Sequence, residues 1–312
     1  MVRPFCFLGL MNWIVATLLS ALFLGVYDLC TKHAVRANAV TPVLFLSTLT
    51  GATVWFVLLG MQMIYPGVLP ATLVTDTLTW QQHLQLLLKS GIVAASWLGT
   101  YFAMKHLPLS LGAPIRAMSP LLTLFGAILV LGERPTWLET VGVLTTLASF
   151  VGLSIIGRSE GVHFHRNKWV WFLIVGTLFG AVSSLYDKYL FITLNFSVPT
   201  VQCWFSIYLL VFFAPFALGW KLRLWKRNEF RWRWSVPFIA LSLLVADYAY
   251  FWALRHPEAL VSLVMSLRRA STLVAFAGGL YFFKETNGWK KLPAVIGILL
   301  GIILTICGRS TH

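Results

Sequence analysis

Charge is scarce in this chain, and negative charge is scarcer still. Only 11% of the 312 residues are Asp, Glu, Lys or Arg, and the acids number 10. A soluble domain carries about a quarter, so a globular fold with a charged, water-facing surface is excluded. Cysteine is sparse too. Cys6, Cys30, Cys203 and Cys307 are scattered and form no CxxC pair, which supports neither a zinc site nor a disulfide framework; they read as small apolar fillers. The histidines, the pair His163 and His165 included, show no metal-ligand spacing. There is no HExxH, GxSxG or Walker-type loop. Neither metal nor cofactor is expected.

What the chain has instead is apolar sequence, 58% of it hydrophobic, with the charge gathered between apolar blocks. Ten blocks of about 20 residues or more can each cross a hydrocarbon core. They cover residues 12–34, 41–64, 83–106, 109–132, 136–157, 169–192, 198–220, 234–255, 258–283 and 288–308. Pro42, Pro108, Pro135, Pro199 and Pro257 fall near their ends, where proline interrupts a helix at least cost. The first block runs on past the length of a signal peptide without a small-x-small cleavage site, so it reads as the first helix of the mature protein.

Two blocks are near-copies. Residues 112–133 and 262–285 superimpose with a shift of 152, which sets Arg116 on Arg268, Ser119 on Ser271, Glu133 on Glu285 and Trp137 on Trp289. Tyr27-Asp28 before Lys32 likewise parallels Tyr186-Asp187 before Lys188, and Lys105-His106 parallels Arg255-His256. The repeat covers five spans per half, and an odd number inserts the halves with opposite orientations. The reading is an all-α polytopic membrane protein of ten transmembrane helices in two inverted five-helix repeats, residues 1–160 and 161–312. The interface between such halves is where carriers bind their cargo. Gly176 with Gly180 and Gly297 with Gly301 have helix-packing spacing, the second pair with a dimer face as an alternative. Monomer and homodimer both stay open.

The net charge of +14 suggests a nucleic-acid binder only if a soluble basic face exists, and none does. The basic residues are expected at a phospholipid surface, as in Lys221 to Arg233, where arginines alternate with aromatics. Most lie after the odd-numbered spans. The positive-inside rule would place those loops in the cytoplasm and both termini outside.

Ten spans in two halves, with Gly132-Glu133-Arg134-Pro135 ending the fourth and Lys284-Glu285 ending the ninth, resemble the EamA-type branch of the drug/metabolite transporter superfamily. The resemblance implies a central cavity, alternating access, a bacterial inner-membrane location and termini in the cytoplasm, against the charge count. More narrowly, Ser266 to Ser271, with Arg268-Arg269 inside, resembles the paired-basic stretch of plastid sugar-phosphate translocators. In that branch the pair helps hold phosphate.

The candidate site follows from cost. A cation at mid-membrane depth is expensive unless it faces protein, water or an anion. Arg116, Arg268 and Arg269 are therefore either internal ion-pair partners of Asp28, Asp187 or Asp247, or a clamp on an anionic substrate, for which the planar guanidinium is suited. Lys32 and Lys188 are substrate-binding candidates, with snorkelling near helix ends as the alternative. Trp97, Tyr101 and Tyr248 can stack a substrate or simply pack. Asp28, Asp187 and Asp247 are candidates for ion or proton coupling, and Asp247 stands most alone in the sequence. Glu133 and Glu285 read as caps. The expected function is a secondary transporter, not an enzyme, for a small polar and anionic metabolite, proton-coupled or exchanging. Its other partners are membrane lipids. A flippase of the same fold, or an enzyme on lipid-linked substrates, is the alternative.

Overall fold

The computed structural model describes residues 4–36, 38–106, 118–155, 167–224, 229–271, 273–274, 277 and 288–310. All regular structure among them is helical. The helices are α1 (Pro4–Val35), α2 (Val40–Ile64), α3 (Trp80–His106), α4 (Ser119–Leu131), α5 (Trp137–Ile155), α6 (Lys168–Ile192), α7 (Val198–Lys221), α8 (Ser235–Arg255), α9 (Val261–Leu267) and α10 (Gly288–Ser310). Five of them, α1, α2, α6, α7 and α8, are long and apolar enough to cross a membrane by length and composition; α4 and the 292–308 part of α10 are shorter apolar helices. Of the ten expected spans, five are met among the described residues; 107–117 and most of 275–287, parts of spans four and nine, lie outside them.

Helix ends follow local chemistry. Thr79 and Gln82 cap each other reciprocally, Thr79 N–H donating to Gln82 Oε1 at 2.8 Å, so α3 starts at Trp80, three residues before the expected limit. Thr136 and Glu139 form the same capping box at α5. Asn167 accepts from Trp169 N–H at 3.0 Å to open α6. Gly132, in the left-handed region at φ +66°, ends α4 and lets Glu133 N–H reach Ala127 O at 3.1 Å. A glycine is what that turn requires. The ninth span departs from expectation: α9 tightens into a 3-10 turn at Arg268–Ala270.

The helices pack in an order that survives exchange of the first five with the last five. The pair α1–α8 has its counterpart in α3–α6, and α3–α7 has its counterpart in α2–α8. The pairs α2–α7, α4–α9 and α5–α10 are their own counterparts. Small residues set the closest crossings. A Cβ on Gly142 would sit 2.6 Å from Thr305 N, and one on Gly301 would sit 2.6 Å from Thr146 N. Gly297 and Gly301 therefore face α5 of the same chain, so the dimer-face reading of that pair gives way to an internal contact.

Large apolar side chains lie outside as well as inside. Val15, Leu18 and Leu22 of α1, Trp171, Val175 and Leu178 of α6, and Ile296, Leu300 and Ile303 of α10 are exposed. In water such faces would aggregate; on a helix of this length they are lipid contacts. Trp80, Trp137 and Trp234 are exposed at helix starts, the position of an interfacial belt.

Candidate functional site

Four charged side chains meet in the interior, from α3, α6, α8 and the 3-10 turn. Lys89 of α3 is 1% exposed and donates to Asp187 Oδ1 of α6. Its ammonium also lies 4.5 Å from the Phe205 ring centre and 4.9 Å from that of Phe251. Tyr250 of α8 donates its hydroxyl to Asp187 Oδ2 at 3.3 Å. The Arg268 guanidinium carbon sits 4.1 Å over the Tyr250 ring, and Arg268 Nη2 donates to Asp247 Oδ1 at 3.1 Å. The result is a continuous chain, Lys89–Asp187–Tyr250–Arg268–Asp247, with two positive and two negative members. Burial of each charge is tolerable because each has a partner. Arg268 Nε is buried with no hydrogen-bond partner.

Asp247 also faces a pocket of about 510 Å³ of empty space, lined by α1, α2, α3, α7 and α8. Ser47 of α2 stands seven residues past Val40, and Ser206 of α7 eight past Val198. At 1.5 Å per residue these lie about 10 and 12 Å inside their helices, near the middle of a hydrocarbon core. The walls are largely apolar. Trp97, stacked on Phe213 at 5.9 Å and 18°, and Phe205 supply aromatic surface. Tyr27, Ser47, Thr48, Gln202, Ser206 and Asp247 supply the polar atoms.

The structure sorts the sequence candidates. It brings Asp187, Asp247 and Arg268 together, with Trp97 on the pocket beside them. Asp247, alone in the sequence, is the partner of Arg268. Arg269 is half-buried on the same 3-10 turn, and Asp28 is half-buried on α1. Tyr248 does not join the site: its hydroxyl donates to Thr72 O, 2.6 Å away in the α2–α3 connection. Lys188 is placed elsewhere too. Its ammonium donates to Leu254 O, His256 O and Ala259 O at 3.1, 2.8 and 2.6 Å, which satisfies carbonyls at the end of α8 and favours a helix-end role over a hold on cargo. Arg116 and Glu285 lie outside the described residues, as do the side chains of Lys32 and Tyr101. Lys89 and Gln202 were missed. A lone lysine in an apolar span was signal enough for the first; nothing in the sequence around Gln202 marks it.

Opposite Lys188, Glu133 serves the start of α9. Its carboxylate accepts from Val261 N–H at 2.6 Å, and from Ser262 N–H at 3.3 Å and Ser262 Oγ at 2.8 Å. This is the cap role read for it, exerted on a helix of the other half. His256, beside this corner, packs edge-on against Trp252 at 4.5 Å, and burial lowers its imidazole below the usual histidine range.

Residues 11–155 match the model of the EamA-like transporter family, part of the drug/metabolite transporter superfamily. No curated protein matches. Among solved structures 29 chains match. One, described only as "Crystal structure of protein", shares 17% identity over 93% of this chain and 98% of its own, with a TM-score of 0.68. That likeness is one of fold. The apolar helices make the protein an integral, multi-pass membrane protein, and residues 11–155 carry its similarity to a transporter family.

Proposed function

We propose, from an EamA-like transporter segment at residues 11–155, that the whole chain is a secondary carrier of a small polar metabolite, working by alternating access. Its cargo would sit in the pocket between α2, α3, α7 and α8. The observation that carries this is a mid-depth pocket lined from both five-helix sets, with a buried charge pair, Lys89–Asp187, joining α3 of one set to α6 of the other.

Ten alternating spans in two inverted halves are part of the same reading. In such a path the α1–α2 and α7–α8 connections share one side, and the α2–α3 and α6–α7 connections share the other. Hydrogen bonds fall in that pattern. Asn38 Oδ1 accepts from Arg231 N–H at 2.8 Å, while Asp76 Oδ2 accepts from Thr200 Oγ1 at 3.0 Å and also from Ser197.

An anionic cargo was expected from unengaged guanidinium groups. Of these, Arg268 instead holds Asp247 and does not line the pocket, and Arg116 lies outside the described residues. Coupling, if carried by a proton, belongs at Asp187: protonation there would leave Lys89 buried without its counter-ion, a state several kcal/mol less stable. The test is counterflow in proteoliposomes with a labelled panel of small amines, carboxylates and sugar phosphates. Wild-type vesicles should exchange at least one class, and vesicles with the double variant Lys89→Leu, Asp187→Leu should lose that exchange while the protein stays folded. Counterflow no greater than in protein-free vesicles across the panel defeats the carrier reading.

A further inference from the structure

Three hydroxyls on the pocket present acceptors, because their protons are already committed. Ser47 Oγ donates to Leu44 O at 2.9 Å, Thr48 Oγ1 to Phe45 O at 2.9 Å, and Ser206 Oγ to Gln202 O at 2.8 Å. A serine or threonine hydroxyl has one proton, so each presents only lone pairs to anything beyond. Gln202 is 2% exposed, and its amide nitrogen donates to Leu244 O at 2.5 Å. That carbonyl can only accept, so the amide cannot be turned round. Gln202 Oε1 is left as a buried acceptor with no partner. An unpaired buried acceptor is costly, and a donor from a bound molecule would remove that cost. Asp247 adds a carboxylate on the same pocket, with Oδ1 on Arg268.

We infer that the pocket takes a molecule whose recognised head is a hydrogen-bond donor, a primary ammonium, set between Asp247 and Gln202 Oε1, with an apolar or aromatic body against Trp97 and Phe205. The inference rests on the carrier reading only for the movement of that molecule; binding stands by itself. A carboxylate or phosphate head is disfavoured, because it would stand against the Asp247 carboxylate and the vacant Gln202 Oε1, both acceptors. The aromatic walls add to the selection, since a cation is attracted to a ring face.

The experiment uses the full chain in lipid nanodiscs and three probes with one phenylethyl body: phenethylammonium, its N,N,N-trimethyl analogue, and 3-phenylpropionate. Binding is followed by calorimetry and by thermal shift. Phenethylammonium should bind, and the trimethyl analogue, which keeps the charge but has no N–H, should bind at least tenfold more weakly. Phenylpropionate should not raise the melting temperature. Gln202→Met and Asp247→Asn should each weaken phenethylammonium at least tenfold, Gln202→Met without loss of the fold, since it removes an unsatisfied group. Tighter binding of phenylpropionate, equal binding of the two cations, no binding of phenethylammonium, or wild-type affinity in Gln202→Met each overturns the inference. Proteoliposome counterflow of the same probes separates the two readings. Binding of the primary amine without any transport removes the carrier reading and leaves this one; transport of the carboxylate in its place does the reverse.

Discussion

At the scale of single residues, three charges do structural work that their positions in the sequence only half disclose. Glu133 satisfies the first amides of α9 through three hydrogen bonds. Glu133→Ala should destabilise the protein by about 3 kcal/mol, because charged hydrogen bonds are worth about 1.5–3 kcal/mol each and do not add fully. The measurement is the melting temperature in detergent, with Glu133→Gln falling between the two. Lys89→Ala leaves Asp187 buried alone and should cost about 3–5 kcal/mol. A double variant, Lys89→Leu with Asp187→Leu, should recover most of it; a double variant as unstable as the sum of the singles would show the pair to be uncoupled. An intramembrane lysine is legible in sequence. The pairing of Arg268 with Asp247 was one of three left open there, because it joins residues on consecutive helices that come together only when α8 and α9 fold back on each other. Gln202 was silent for a different reason: which of its two polar atoms stays vacant is decided by Leu244 O, a backbone group on another helix.

At the scale of helices, the sequence was read well where punctuation is local. Pro42, Pro199 and Gly132 stand in the first or last turns they were expected to mark. It was read less well where contacts decide. Gly297 and Gly301 have the spacing of any helix-packing pair, and only the presence of Ser149 and Thr146 against them identifies α5 as their partner. Gly301→Ala should therefore be harmful, since its new Cβ would press on the Thr146 backbone at 2.6 Å. Gly60→Ala in α2, with nothing within 4 Å, should be neutral or stabilising by up to about 1 kcal/mol from helix propensity. Thermal unfolding of the two variants side by side checks this; a Gly301→Ala protein as stable as wild type would mean that α5 and α10 can slide apart freely.

For the whole molecule, the repeat reading rests on charged landmarks at a near-constant offset, and the packing of the described helices is consistent with an exchange of the first five with the last five. What a repeat leaves undetermined is which side each connection occupies, since that depends on every intervening helix crossing. Single cysteines introduced at Thr72 and Leu194, in a chain whose four native cysteines are replaced, should react with an impermeant maleimide from one side of the membrane. Cysteines at Asn38 and Arg231 should react only from the other. Labelling of all four from one face would break the ten-span path.

Asp247 is held by Arg268 and touches the pocket at the same time. The guanidinium thus stands in as a permanent tenant, keeping the carboxylate neutralised when nothing has been picked up. On the proposed carrier reading, the unladen protein can turn round without dragging a naked anion through hydrocarbon. With Arg268→Gln the return journey would need a passenger: one-for-one swapping of cargo should persist, while net accumulation in empty vesicles should stop.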